Sequence, residues 1–391
     1  MKHWVAIFRL FLLTALLGTG LRSMASNAEA TTITVTLKQT SISDSPSFAI
    51  DHENVDVRFI REPKYTGDKI IRGFLYRNNT TNDYMGLAID EKAGRLYLDL
   101  NCNLDLTDDP AGVHEASERN AYMLRFSNFT VEMARRQPAR SYTLSLNLYL
   151  GGGAYLNSNL QTGWVGELEL PGRRWRLSVI DNMDGIIDAT DKIWLMPLKP
   201  ESLQQFGDSQ FAIGSSDQLF LNGHLYQTRF DWEASPAGPL LRVSLGELPF
   251  KPATLALAGQ GITRLLLKNS RGGPVVVLDQ PGASITLPEG RYRIENVLLH
   301  DPKNNRLYQQ NRNSQSLEIS ATDGQPALRL GAPLNNTLTA RRAGSTLQLN
   351  YELHGIGAES YQPVGNTRDA RPKFRILHAG TQVAEGFFEY G

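Results

Sequence analysis

The chain has 391 residues, 40 of them basic and 40 acidic, for a formal net charge of +0 at pH 7. That balance excludes a general electrostatic affinity for nucleic acid or for anionic membranes. Cys102 is the only cysteine, which excludes an intrachain disulfide.

Residues 1–30 read as a secretory signal peptide. Lys2 and Arg9 form a charged start, Leu10 to Leu21 is apolar, and Ala28-Glu29-Ala30 fits an A-x-A cleavage site. The apolar run falls short of the roughly 20 residues of a membrane span, so no stable span is expected after cleavage. The expected location is secreted or periplasmic. Without Lys2, Arg9, Arg22 and Glu29 the chain keeps 37 basic and 39 acidic residues. The remaining length, about 360 residues, exceeds the usual single core and predicts two domains. An exported fold without disulfides needs another source of stability, and bound cations are one.

Downstream, strand patterns dominate. Thr32 to Leu37 alternates threonines with apolar residues, the period of a half-buried strand. Similar runs cover Ile70–Tyr76, Arg95–Leu100, Tyr142–Leu150, Trp164–Leu170, Trp175–Ile180, Leu219–Leu221 and Leu240–Leu245. They continue through Ile262–Leu267, Val275–Leu278, Tyr292–Leu299, Leu347–Leu353 and Val383–Tyr390. Gly, Pro, Asn and Asp turns separate them, which predicts a mostly β chain of two β-sandwich or barrel-like domains. Short helices are expected only at Glu115–Met123 and Pro200–Phe206. The prolines of Leu248-Pro249-Phe250-Lys251-Pro252 place the boundary, giving a first domain at 31–250 and a second at 251–391. Phe374 to Gly391 reads as a closing hairpin turned at Ala379-Gly380.

Two acidic loops carry the chemistry. The first runs from Asp99 to Asp109, with Asn101, Asn103 and Asp105 at alternate positions. The second runs from Asp181 to Asp191, with Asn182, Asp184, Gly185 and Asp188 between them. Ca²⁺ takes roughly six to eight oxygen ligands, and oxygen side chains at short intervals supply them. Crowded carboxylates also repel unless something neutralises them. Gly94-Arg95-Leu96-Tyr97 before the first loop and Gly172-Arg173-Arg174-Trp175 before the second raise the expectation of an internal repeat.

The first loop resembles the D-x-[DN]-x-[DN]-G calcium loop of EF-hand and dockerin-type repeats. Asp99, Asn101, Asn103 and Thr107 stand at its positions one, three, five and nine. Leu104 replaces the glycine at six, and Pro110 replaces the acid at twelve, a role left to Asp108 or Asp109. The second loop keeps Gly185 at six, Asn182 and Asp184 at three and five, and Asp188 and Asp191 at nine and twelve. Its position one is Ile180, and Asp181 is the substitute. Strands precede both loops, so only the loop chemistry carries over. Together with the ending Phe387-Phe388-Glu389-Tyr390-Gly391, the loops resemble a loosely defined set of secreted bacterial β-proteins of unassigned activity. That resemblance implies an exported compartment and a structural calcium ion. Leu287-Pro288-Glu289-Gly290-Arg291-Tyr292-Arg293-Ile294 is similar to a turn of prealbumin-like and carboxypeptidase-regulatory-like sandwiches. It implies an immunoglobulin-like or prealbumin-like second domain.

No sequence pattern points to a reaction. The seven histidines form no H-x-H or H-E-x-x-H, and no G-x-S-x-G elbow occurs. Cys102 lies within the first loop with no base beside it, and reads as a filler between ligand positions. The tryptophans Trp164, Trp175, Trp194 and Trp232 stand in strand-like runs and read as core. Basic patches at Arg135-Arg136…Arg140 and Arg173-Arg174…Arg176 offer an anionic glycan as one partner, an envelope protein being another. The leading expectation is a non-enzymatic envelope or extracellular binding or structural module that calcium rigidifies. Its rival is an enzyme acting on extracellular polymers, with Asp51, Glu53 and Asp231 as its candidate acids.

Overall fold

The computed structural model describes residues 32–388, apart from 43–45, 51, 53–56, 79–82, 134–136, 152–154, 171, 189, 199–210, 303–304, 311–317, 323–326 and 365–370. The signal peptide at 1–30, the Pro200–Phe206 helix, Asp51, Glu53, Arg135, Arg136 and the Glu389-Tyr390-Gly391 ending therefore lie outside the described residues.

Among the described residues, 29 strands and one 3₁₀ turn, Pro110–Gly112, make up the regular structure. The chain is mostly β, as its alternating pattern predicts. No helix is long and apolar enough to cross a membrane. The helix expected at Glu115–Met123 is a correction. Glu118–Arg119 pairs with Leu124 and Arg125 of the Met123–Met133 strand instead. The turn between them is closed by Asn120, whose main-chain N–H reaches the Met123 carbonyl and whose Oδ1 accepts the Tyr122 N–H at 2.9 Å. An asparagine that bonds the chain two residues on competes with a helix and wins here.

One continuous hydrogen-bonded series begins with Lys192–Pro197, Arg173–Ile180, Thr162–Leu170, Thr32–Ser41, Leu240–Leu248, His224–Glu233 and Gln218–Leu221. The segment entering Gln218–Leu221 folds back on the far end of these seven, since Ile213 N–H donates to the Ile193 carbonyl at 2.8 Å. The seven strands thus curl into a nearly closed barrel. Its apolar interior holds a cavity of about 30 Å³, walled by residues such as Leu168, Leu177, Leu195, Phe230 and Val243.

Two smaller sheets pack on this barrel. One comprises Ser47–Ile50, Tyr155–Leu160, Arg140–Tyr149, Met123–Met133 and Glu118–Arg119. The other comprises Ile70–Asn78, Asp83–Asp90, Arg95–Leu98 and Val113–Glu115. Their inward residues, including Phe126, Leu146, Leu87 and Leu96, share one core with the barrel.

The long series goes on into the C-terminal half through Val275–Asp279, Ile262–Asn269, Gly290–Asp301, Arg306–Gln310, Ser360–Pro363, Thr346–His354 and Asn335–Ala343. Pro252–Ala258 and Ser284–Pro288 cover it with a second layer, and the space between is a second core. The two cores share a wall. Val275 and Val277 face the first, Val276 and Leu278 the second. Leu266 belongs to the first core, while Leu265 and Leu267 belong to the second. Successive strand residues point to opposite faces, so a strand buried on both sides reads as an unbroken apolar run.

In the sandwich, the Pro288-to-Ile294 turn is held by its tyrosine. Tyr292 is fully buried, and its hydroxyl donates to the Pro288 carbonyl at 2.8 Å. Such tyrosine corners fix the entry into a sandwich strand. Tyr292→Phe should lower the unfolding free energy by about 1 kcal/mol without changing the fold, because a buried acceptor loses its donor. Urea unfolding checks this. An unchanged midpoint would remove the corner from the account.

Candidate functional site

Each acidic loop is carried by the same local unit. In the first, Asp83–Asp90 and Arg95–Leu98 form a hairpin turned at Gly94 (φ +67°), and Val113–Glu115 returns beside Arg95–Leu98 after the loop. In the second, Thr162–Leu170 and Arg173–Ile180 form a hairpin turned at Gly172 (φ +90°), and Lys192–Pro197 returns beside Arg173–Ile180. Hairpin, loop and returning strand thus occur twice, in different sheets.

Both loops wind along a ladder of side-chain oxygens that accept main-chain N–H groups. In the first, Asn101 Oδ1 accepts from Asn103 (3.0 Å), Asn103 Oδ1 from Asp105 (2.7 Å), and Asp105 Oδ1 from Thr107 (2.9 Å). In the second, Asn182 Oδ1 accepts from Asp184 (2.9 Å), Asp184 Oδ1 from Ile186 (2.9 Å), and Asp188 Oδ1 from Thr190 (2.7 Å). These are the local bonds by which Asn and Asp shape turns.

The backbone turns the same way in both. Position four is left-handed at Cys102 (φ +57°) and Met183 (φ +79°). Position six is left-handed at Leu104 (φ +66°) and Gly185 (φ +81°). Leu104 therefore adopts the conformation for which the second loop uses glycine, at the steric cost an L side chain carries there. The closing acid also matches. Asp191 Oδ1 accepts the position-three N–H of Asn182 at 2.8 Å, and Asp109 Oδ2 accepts that of Asn101 at 3.5 Å.

A buried aspartate roots each ladder. Asp99 and Asp181 are both inaccessible to solvent. Asp99 takes the N–H of Asn103 on one oxygen (2.9 Å) and of Leu104 on the other (3.0 Å). Asp181 takes Met183 (2.9 Å) and Gly185 (3.2 Å) on Oδ1. Its Oδ2 takes the Tyr142 hydroxyl at 2.6 Å and Arg140 Nη1 at 3.2 Å. Burial pushes this carboxyl up, and Tyr142, Arg140 and the loop N–H groups pull it back. With four donors on two oxygens, Asp181 anchors the second loop to the strands beneath it.

Sequence reasoning missed Arg140 and Tyr142 as partners of the second loop. The strand period contained the signal, because Arg140, Tyr142, Leu144, Leu146 and Leu148 fall on one face. Arg140 is only 4% exposed, and its guanidinium lies 4.0 Å from the Trp232 ring centre. Trp232 meets Trp164 edge-on at 4.8 Å, and Trp164 meets Tyr142 at 5.6 Å. Of the expected core tryptophans, Trp164, Trp175 and Trp194 are buried and Trp232 is partly so.

The outer loop acids crowd one another. Burial and the charges of Asp181 and Asp184 push Asp191 up to about 8. Asp184 is raised by burial and by Asp181 and Asp188, and Asp109 by burial and by Asp108 and Asp99. Asp105 goes the other way, lowered by the Thr107 hydroxyl and N–H. Asn101 and Asn103 donate their amide groups to the two oxygens of Asp108, at 3.2 and 2.8 Å. Among the described residues, no three His, Cys, Asp or Glu side chains gather in metal-holding geometry. The loop oxygens come instead as alternating Asn and Asp with main chain between.

The remaining candidates fall elsewhere. Asp231 is exposed on its strand opposite Arg242. Arg173 pairs with Asp279 and Arg174 with Glu167, so both are engaged within the fold. Cys102 is a partly buried free thiol, its Sγ 3.9 Å from the Tyr76 hydroxyl. Comparison with protein families, with curated proteins and with solved structures finds no match.

Removing one member of a buried ion pair leaves the other uncompensated, at a cost of about 3–5 kcal/mol. Arg140→Met should therefore destabilise by that amount in denaturant unfolding. The double variant Arg140→Met/Asp181→Asn should lose clearly less than the sum of the two single changes. Strict additivity would mean that the two residues do not act as a pair.

Proposed function

We propose that the chain is an exported calcium-binding β-protein, a non-enzymatic envelope or extracellular binding module that the ion rigidifies. The observation that carries this reading is the doubled ladder: two loops with left-handed residues at positions four and six, alternating oxygen side chains and a closing acid. The donor chemistry fits a hard cation, since every candidate ligand is an oxygen. An Asn or Asp oxygen that accepts one N–H keeps a further lone pair, and each carboxylate has a second oxygen.

Asn182, Asp184, Asp188 and Asp191 would hold an ion in the second loop, with Asp181 as its root. Asn101, Asn103, Asp105 and Asp109 would do so in the first, with Asp99 as its root. A bound divalent cation supplies charge neutralisation there. The protein's own residues set the loop shape beforehand, which lowers the ordering cost of binding. Extracellular calcium modules work at roughly 10⁻⁴–10⁻³ M, which suits loops that depart from the strict pattern. The signal-like sequence at 1–30 supports the compartment. Partners in this reading are a glycan or an envelope protein.

Thermal unfolding of the chain from Thr31 onward, in EDTA and in millimolar Ca²⁺, tests the reading. A ligand at 100 times its Kd stabilises by about 2.7 kcal/mol per site. The expected result is a calcium-dependent rise in midpoint, cut in part by Asp184→Ala and in part by Asp105→Ala. Coincident melting curves in EDTA and Ca²⁺ would overturn it.

A further inference from the structure

The long strand series ends at Asn335–Ala343. Among the described residues that strand is paired on one side only, with Thr346–His354. All nine of its residues are exposed. An uncovered edge of this length presents a row of unpaired N–H and C=O groups that templates another strand.

The hairpin built by these two strands has one apolar face. Leu338 stands opposite Tyr351, Ala340 opposite Leu349 and Arg342 opposite Leu347, so these residues share a side. Thr337, Thr339, Arg341, Asn350 and Glu352 occupy the other. The C-terminal hairpin, Lys373–His378 with Thr381–Phe387, covers only part of the apolar side. Phe388 stacks on Tyr351 at 5.3 Å and meets Phe374 at 5.0 Å. Leu338 remains 56% exposed and Leu347 45% exposed.

We propose that the Asn335–Ala343 edge pairs antiparallel with the same strand of a second copy, about a two-fold axis through Thr339. That is the register in which all nine residues find a partner. It sets Leu338 against Ala340 of the second copy, Thr337 against Arg341, and Asn336 against Arg342. The only charges on the strand, Arg341 and Arg342, thus meet neutral residues, whereas like charges placed opposite one another would repel. Thr337 already lies opposite Glu352 within the hairpin. Arg341 of the second copy therefore enters a row that ends on an acid. The join also merges the two half-exposed apolar faces into one four-stranded surface. The contact is isologous and closes after two copies, which protects the edge from open-ended assembly.

Thr339 is the one residue that meets its own counterpart. Residues directly opposite have Cβ atoms about 4.5–5.5 Å apart, close to disulfide range. Under mild oxidation, a Thr339→Cys variant should form a covalent dimer. Asn350→Cys, one strand back on the same face, should not, and the wild type gives the baseline for Cys102. Sedimentation velocity should show a concentration-dependent monomer–dimer equilibrium for the wild type. Thr339→Lys places like charges opposite each other and should give monomer only, with the melting temperature of the dilute, monomeric wild type. A wild type that stays monomeric at all concentrations overturns the proposal. So does a dimer that persists in Thr339→Lys, or equal crosslinking at positions 339 and 350.

Discussion

A carboxylate taken out of water must be met by donors, and this constraint organises the N-terminal half of the molecule. Asp181 is met by Arg140, Tyr142 and two loop N–H groups. That set joins the second acidic loop, at the end of a barrel strand, to the sheet packed against the barrel. Arg140 in turn covers Trp232, which leads to Trp164 and back to Tyr142. Charge, aromatic packing and loop shape are thus one arrangement, and none of its members can be removed singly at low cost. Asp90 obeys the same rule at another chain reversal. Burial alone would raise its carboxyl, but the N–H groups of Ala93, Thr66 and Gly67 hold it below the usual range.

The roots of the loops are buried inside the fold, whereas the outer acids accept main-chain N–H groups nearer the surface. Burial and neighbouring carboxylates raise Asp184, Asp191 and Asp109 together: Asp181 acts on both Asp184 and Asp191, and Asp108 and Asp99 act on Asp109. Asp181 holds the loop from below, while the rim above it is crowded with carboxyl oxygen, and each buried or neighbouring charge there disfavours the ionised form. The same hairpin, loop and returning strand are used twice, with Leu104 accepting a left-handed backbone where Gly185 has it freely. A side chain kept in that conformation is tolerated when the surroundings over-determine it. Here the Asp99 carboxylate and the Ile60 N–H, which reaches the Leu104 carbonyl at 2.7 Å, do so.

Period-two alternation made most of the strands legible, along with the terminal hairpin turned at Ala379-Gly380, where both residues have positive φ. The loop oxygens were legible from spacing alone. Other features depend on distance in sequence. Val275–Leu278 reads as a buried strand, but nothing local says that its two faces serve different cores. The partnership of Arg140 with Asp181 joins residues on different sheets, and only the tertiary fold brings them together. Glu115–Met123 reads as a short helix, but Asn120 turns the chain there by a bond that composition does not reveal. The Asn335–Ala343 edge escaped notice because its asparagines, threonines and arginines lack the apolar density that marks a core strand.

The central claim is that two separate loops each take one calcium ion. Equilibrium dialysis of the chain from Thr31 onward against labelled Ca²⁺ measures this directly, because it counts ions without relying on a change in stability. The account predicts saturable binding that approaches two ions per chain at millimolar calcium, and one ion when Asp188→Ala disables the second loop. Binding that never saturates, or none above the level of a control protein of equal charge, would contradict it.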